Sequence, residues 1–285
     1  MIAQNFEYSS PSTLKEALAL LADGNAKVLA GGMSLIPLMK LRLAVPEHVV
    51  DMRGVPGLDG IRQAPDGIHI GAMATHYGIE SSPVLRAHCP LLAETASHIG
   101  DVQVRNMGTI GGSIAHSDPA ADYPAALFAL EAQVHLARKT GDRVVPFSDF
   151  VVDTFTTALE PGEIVTEIVV PAESGGTGVS YQKLNQPASG FALVGAAVRI
   201  ARGVGSNGGG IGFVRVGITG LTSKAYRAAN VERILESTGD VDKAAAAVAD
   251  GVEANSDLNA SAHYRSHMAR VYTARALKIA LARAS

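Results

Sequence analysis

The sequence predicts an α+β protein of two or three packed subdomains, and three observations carry that expectation. Of its 285 residues, 47% are hydrophobic and 18% charged, enough apolar material for more than one core. Up to Val170, β-rich runs and helix-patterned runs are interspersed; a turn-forming cluster, Pro171-Ala172-Glu173-Ser174-Gly175-Gly176, then breaks the pattern. Beyond it the strand-like segments come first and the helical ones last, the order expected of an α+β module with an antiparallel sheet.

Thr13-Leu14-Lys15-Glu16 has the capping-box pattern, and Leu14, Ala17, Leu18 and Leu21 recur at helical spacing until Asp23-Gly24 interrupts them. Residues 27–30 read as a strand running straight into Gly31-Gly32, residues 34–41 as a helical turn and 48–52 as a strand, together a βαβ-like unit. Residues 58–73 read as a hairpin, because GLDGIRQA and GIHIGAM flank the turn Pro65-Asp66-Gly67. Helical character returns over 83–99 and, after a glycine-rich loop, over 118–130, where proline stands near the start. Strands are predicted at 132–137, 143–145 and 163–170, the first two split by Thr140-Gly141-Asp142. The last segment places strands in VSYQKL, FALVGAAVRIA and IGFVRVGITGL and ends in two or three helices. The final helix is expected to present Tyr264, Met268, Val271, Ala274, Leu277 and Leu281 as its apolar face.

Composition narrows the function classes. The formal net charge is -3 with no lysine or arginine block, so nothing favours nucleic acid or an acidic membrane surface as partner. No apolar run approaches the ~18 residues of a spanning helix, and the N-terminus lacks a basic stretch followed by an apolar one, so a cytoplasmic protein without membrane insertion is expected. A single cysteine, Cys89, excludes an intramolecular disulfide and any cysteine-ligated zinc or iron–sulfur cluster built by this chain alone. Iron–sulfur chemistry, if involved, belongs to another polypeptide.

Three glycine-rich stretches compete for attention. Gly203-Val204-Gly205-Ser206-Asn207-Gly208 is a literal G-x-G-x-x-G, but strand-like IGFVRVGI follows it where a dinucleotide site needs a helix, so a hairpin tip is the expectation. Gly31-Gly32 follows a β-rich run with Ser34 close behind, and Gly111-Gly112 is flanked by Thr109 and Ser113. Each loop is expected to offer exposed backbone N–H groups with a hydroxyl nearby, and two such cradles suit a pyrophosphate gripped from both sides, although either pair taken alone reads first as a tight turn.

AGGMSLIPLMKLRL, QVRNMGTIGGSIAHSDPAAD, GEIVTEI and YQKLNQPASGFALVG, in this order and spacing, resemble the flavoprotein medium subunits of the molybdenum hydroxylases, the group of CO dehydrogenase, xanthine dehydrogenase and aldehyde oxidase. The resemblance covers essentially the whole chain, and T-I-G-G after Q-x-R-N is its most specific part. It implies a two-subdomain FAD-binding fold of the vanillyl-alcohol oxidase type over 1–57 and 58–174, and a C-terminal α+β domain over 175–285. It also implies non-covalent FAD held by Ala30, Gly31, Gly32, Met33, Ser34 and Leu35 in one loop and Thr109, Ile110, Gly111, Gly112 and Ser113 in the other. Asp122 then matches the acid bonded to the adenosine portion, Ile164 and Val165 an apolar pair beside the rings, Lys183 a lysine near the cofactor, and Phe191 an aromatic over the isoalloxazine. Met33 stands where the family commonly has histidine and Ser113 where asparagine is common, which bears on the tuning of the flavin more than on its binding.

The residues alone leave other readings of these positions. Asp118 and Asp122 could serve only to start a helix, Ile164, Val165 and Phe191 could be ordinary core, and Lys183 could be solvated. His116 with Asp118 and Asp122 is a poor metal-ligand set, and His116 has no evident role. By resemblance the chain relays electrons: a large molybdenum subunit hydroxylates the substrate, a small subunit carries two [2Fe–2S] clusters, and FAD here passes electrons to a terminal acceptor, in an assembly expected to be a dimer of heterotrimers. The alternatives are a free-standing FAD oxidoreductase with its own substrate pocket and a non-catalytic nucleotide-binding module.

Overall fold

The computed structural model describes residues 2–22, 24–173, 175–203 and 210–284. Its N-terminal part consists of β1 (Glu7–Ser9), α1 (Leu14–Leu21), β2 (Ala26–Leu29), α2 (Leu35–Lys40) and β3 (His48–Asp51), with the strands parallel in the order β1-β3-β2. Parallel neighbours need crossovers, and the two helices sit in them. Thr13 caps α1 by accepting from the Glu16 N–H at 3.2 Å, and the Glu16 carboxylate reaches back to the Ser12 N–H at 2.9 Å, one residue earlier than a capping box places it. Ala17, Leu18 and Leu21 of α1 pack with Val50, Met52 and Leu58 in a small core. The three-residue β1 carries no legible pattern and was not expected.

The hairpin of β4 (Ile61–Ala64) and β5 (Gly67–Gly71) forms as predicted. Six helices follow: α3 (His76–Ser81), α4 (Pro83–His88), α5 (Pro90–Ser97), α6 (Val102–Met107), α7 (Ile110–His116) and α8 (Tyr123–Ala129). Then come β6 (Gln133–Arg138), β7 (Gly141–Pro146), α9 (Phe147–Phe150), the short pair β8 (Val151–Asp153) and β9 (Thr156–Thr157), and β10 (Ile164–Val170). The strand order β4-β5-β10-β6-β7 brings the last strand to the centre of an antiparallel sheet. Where one helix was expected over 83–99 there are two, because Pro90 has no N–H to continue the first and its fixed φ suits the start of the second. The glycine-rich stretch, expected as a loop, is itself helical from Ile110, and the helix expected from 118 starts at Tyr123.

The C-terminal part is an antiparallel sheet of β11 (Thr177–Asn185), β12 (Ala192–Arg202), β13 (Ile211–Thr219) and β14 (Tyr226–Arg227), followed by α10 (Ala229–Thr238), α11 (Val241–Ala246) and α12 (Ala262–Arg283). Successive residues of a strand face opposite sides. Val194, Ala196, Val198 and Ile200 accordingly meet α10 and α12, while Tyr181 and Ala197 join the core of the central sheet beneath α5 and α8. Close approach is enforced by glycine: a side chain on Gly217 would strike the Ala125 carbonyl of α8. Most of the G-x-G-x-x-G stretch, residues 204–208, lies outside the described residues; Gly203 N–H donates to Gly210 O at 2.7 Å across the ends of β12 and β13.

The face of α12 that the periodicity predicted is only partly the buried one: Leu277 is in the core and Met268, Ala274 and Leu281 pack at its edge, but the centre of the buried face lies elsewhere. Arg265, Ala269, Thr273, Ala276, Leu277 and Ala280 are buried, whereas Tyr264 is 44% exposed and Met268, Val271, Ala274 and Leu281 are only half-buried. Small alanines let the helix lie tight on β11, where a side chain on Gly178 would strike the Ala280 carbonyl. Arg265 is admitted because its guanidinium donates to the carbonyls of Leu193 (2.7 Å) and Gly220 (2.9 Å) and to the Asp257 carboxylate (2.6 Å).

Candidate functional site

The strand β2 ends at Leu29 and the chain turns through Ala30, Gly31 and Gly32 into α2. Gly32 has φ +75, a left-handed conformation that costs other residues about 1 kcal/mol or more. After this turn the N–H groups of Gly32, Met33, Ser34 and Leu35 find no acceptor among the described residues, and the Ser34 hydroxyl makes no capping bond. Four consecutive amides without a protein acceptor, beside a hydroxyl that makes no cap bond, make this a donor-rich stretch. Met33 is 38% exposed and its thioether donates nothing, so the amides are the polar content of this loop.

The second loop is built differently. Thr109 caps α7, and each following amide has a partner: Ile110 donates to Ala74 O (3.1 Å), Gly111 to Ala72 O (2.9 Å), Gly112 to Thr109 Oγ1 (3.2 Å) and Ser113 to Thr109 O (3.0 Å). The expectation of exposed amides here is therefore corrected: this loop is a rigid wall contributing hydroxyls, because its glycines serve close packing. A side chain on Gly111 would meet Ala72 Cβ at 2.5 Å. The two loops touch. A side chain on Gly31 would strike the Met107 carbonyl and lie 2.8 Å from Gly108 Cα, and one on Gly112 would lie 3.5 Å from Ala30 Cβ. One loop with free donors thus faces one fixed loop across a seam kept clear by glycine, an arrangement that fits the diphosphate of a dinucleotide cofactor.

Asp122 and Lys183, 61 residues apart, meet in a buried ion pair at 2.8 Å with side chains 5% and 0% exposed. Tyr181 Oη donates to the Asp122 carboxylate at 2.6 Å, and Lys183 Nζ also donates to the His98 carbonyl at 2.9 Å. Burial pushes the Asp122 carboxyl above its ordinary value, and the Lys183 charge with the Tyr181 hydroxyl pulls the other way. Although Asp122 precedes α8, its side chain makes no cap bond. It ties the central helices to the C-terminal sheet, aided by Thr219 Oγ1, which donates to the Pro119 and Ala121 carbonyls. Asp118 does act locally, accepting from the Ala120 N–H at 2.8 Å.

Ile164 and Val165 open β10. Ile164 is buried in the N-terminal core and Val165 packs on the central one. Their neighbour Thr166 accepts from Ala72 N–H at 2.9 Å, and Ala72 accepts from Gly111, so β10 is linked to the second loop through one residue. Phe191 lies in the turn between β11 and β12, 46% exposed, next to Gly190 at φ +72, whose missing side chain would sit 3.6 Å from Gly100 Cα. His116 packs its ring on Phe155 at 5.0 Å, half-buried, and burial holds it below the ordinary histidine value. Two residues of this region, Tyr181 and Tyr123, have no signal in the sequence, and His76 reads there as an ungrouped histidine. Partners 47 and 59 residues away leave no local signal in the chain.

Comparison with known proteins settles the family of the chain. A family model for the FAD-binding domain in molybdopterin dehydrogenase matches residues 4–173, and one for the C-terminal domain of CO dehydrogenase flavoproteins matches residues 179–280. The chain belongs to the FAD-binding medium subunits of the molybdenum hydroxylases. The carbon monoxide dehydrogenase medium chain of Hydrogenophaga pseudoflava is 41% identical over 99% of both chains. A solved structure of carbon monoxide dehydrogenase from that organism, lacking the Mo-pyranopterin moiety of the molybdenum cofactor, superposes over 100% of both chains with a TM-score of 0.94 and 42% identity. Quinoline 2-oxidoreductase from Pseudomonas putida 86 does so over 100% of both chains with a TM-score of 0.91 and 32% identity. As a member of this family the chain is an FAD-binding oxidoreductase subunit of a multi-subunit molybdenum enzyme. The mixed fold with its antiparallel C-terminal sheet is the family's own.

Proposed function

We propose that the seam between the two glycine loops holds the FAD diphosphate and that the chain relays electrons from [2Fe–2S] clusters of a small partner subunit to a terminal acceptor. The observation that carries this reading is the row of four unpartnered amides, Gly32 to Leu35, directly after residues 30–31, which lie against a wall whose own amides are satisfied. Ala30, Gly31, Gly32, Met33, Ser34 and Leu35 supply the donors, and Thr109, Ile110, Gly111, Gly112 and Ser113 the wall and its hydroxyls. Bound FAD supplies the capacity to take electrons singly and give them up in pairs. Phe191 is exposed and able to cover a flat ring, while Ile164 and Val165 present an apolar strand end next to the second loop. Asp122 and Lys183 are engaged with each other; their contribution is to hold β11 against the cofactor-binding part, with the spare lone pairs of Asp122 available to a ligand hydroxyl. None of these groups needs to take a proton from the substrate, since hydroxylation belongs to the large molybdenum subunit.

The reading extends to the organisation expected from the sequence: FAD-binding subdomains over 1–57 and 58–174, a C-terminal domain over 175–285, and a cytoplasmic dimer of heterotrimers. The break between the matched regions, at residues 173 and 179, supports the second boundary. Among the described residues no helix is long and apolar enough to cross a membrane. The test is to purify the chain alone and with its co-expressed partner subunits, record visible spectra and attempt reduction. Flavin that stays oxidised with substrate until the partners are present supports the relay. A chain that takes up no FAD refutes it, and flavin reduced by an organic substrate with no partner present points to a free-standing oxidoreductase.

A further inference from the structure

Gly108 stands at φ -64 and ψ 143, a conformation open to any residue, so its lack of a side chain is not a backbone requirement. The requirement is steric. A Cβ on Gly108 would lie 2.5 Å from His76 Nε2 and 2.8 Å from His76 Cδ2, while Gly31 of the other loop is pressed against the Gly108 α-carbon. His76 is only 5% exposed and is held on three sides. Its N–H donates to the Gly108 carbonyl at 2.9 Å, its Nδ1 shares a hydrogen bond with Tyr123 Oη at 3.2 Å, and its ring meets the Tyr123 ring edge-on at 5.3 Å. Tyr123 is fully buried and directly follows Asp122. The backbone bond recurs on the far side, where Ile110 N–H donates to Ala74 O, so Thr75 and Thr109, the caps of α3 and α7, are bridged.

We infer that His76 is a positioning residue for the cofactor clamp: its imidazole, wedged between Tyr123 and Gly108, sets where the chain enters the 109–113 wall and so fixes the separation of that wall from the Gly31 loop. The inference rests on the FAD reading above and adds to it a residue that contacts no ligand. A ring 2.5 Å from where a Cβ would go leaves no slack, and Gly108 and His76 therefore act as a matched pair in which bulk on one side requires its absence on the other.

The test is a double-mutant cycle on the co-expressed complex after removal of its flavin, with FAD affinity read by fluorescence titration and folding of the flavin-free protein read by thermal denaturation. Gly108→Ala is expected to weaken FAD binding at least about tenfold, since the methyl group displaces either the ring or the wall. His76→Ala, which leaves a hollow beneath Gly108, is expected to weaken it by a similar factor, and His76→Gln, which keeps a hydrogen-bonding group for Tyr123, by less. In His76→Ala/Gly108→Ala the new methyl group occupies space vacated by the ring, so affinity should recover to well above that of Gly108→Ala alone. Additive losses in the double variant, or unchanged affinity in His76→Ala, overturn the positioning role while leaving the FAD reading standing. Unmutated protein that takes up no FAD overturns the FAD reading itself, an outcome separable from the others because no variant is needed to see it.

Discussion

Replacing Lys183 by methionine isolates the cost of leaving a carboxylate alone in the interior. The pair it breaks is nearly solvent-free, with contacts of 2.8 and 2.9 Å to the two Asp122 oxygens. Methionine keeps most of the length, so little cavity forms, and what is lost is the charge and the bond to the His98 carbonyl. Removing one partner of a buried pair costs about 3–5 kcal/mol, and Asp122 would retain only the Tyr181 hydroxyl. For a chain of this size that corresponds to a drop in melting temperature on the order of 10 °C. In Asp122→Asn/Lys183→Met no charge is buried and Tyr181 keeps an acceptor, so stability should return to within about 2 kcal/mol of the starting protein. The pH dependence distinguishes the variants. A carboxyl whose folded pKa is raised by burial is penalised increasingly as pH climbs from its ordinary 3.8 towards the raised value, so Lys183→Met should regain stability between pH 7 and pH 5. The double variant should show no such gain. Denaturant titrations at those two pH values make the measurement; a single variant within about 1 kcal/mol of the unmutated protein, or a double variant no more stable than the single, refutes the reasoning.

Three further outcomes follow from the same geometry. Burial, with Arg105 nearby, holds His76 at about 4, below its ordinary 6.5, so the unfolded chain binds the extra proton first and stability falls as pH drops from 6.5 to 4; the loss should approach about 3 kcal/mol and be absent from His76→Gln in acid-denaturation curves. Gly32→Ala forces an alanine into φ +75 with its Cβ 2.6 Å from Ile36 Cδ1, and should cost about 1–3 kcal/mol in melting experiments along with a loss of FAD retention. Gly178→Ala places its methyl group against the backbone of α12 and should cost about 3 kcal/mol without altering FAD affinity, since α12 lies on the opposite face of the C-terminal sheet from α8.

Elements with local causes were legible in the sequence. The Thr13 cap, the Pro65-Asp66-Gly67 turn and the apolar run FALVGAAVRIA each depend on neighbours in the chain; α1 and β12 formed within a residue or two of their expected bounds, and the hairpin expected over 58–73 has its strands over 61–71. Failures occurred where a distant contact decided the outcome. Arg265 is buried because carbonyls from β12 and from the turn after β13 converge on it, which centres the buried face of α12 beside, not on, the stripe that the sequence offered. Gly111 and Gly112 lie in a helix that propensity disfavours, held there by Ala72 and the Thr109 cap. Of the candidate site, the glycine pairs and their hydroxyls were readable as motifs, whereas the Asp122–Lys183 pairing and the wedge at His76 depend on tertiary proximity alone.

The unequal construction of the two loops also sets an order of events. The 109–113 wall completes its hydrogen bonds as the chain folds, so its shape is inherited from the fold and needs no template. The Gly32–Leu35 row finds no acceptor among the described residues and leaves its amides to water or to a bound anion. On the FAD reading proposed above, one jaw of the socket is therefore already set by the fold, and the other keeps its donors for the cofactor.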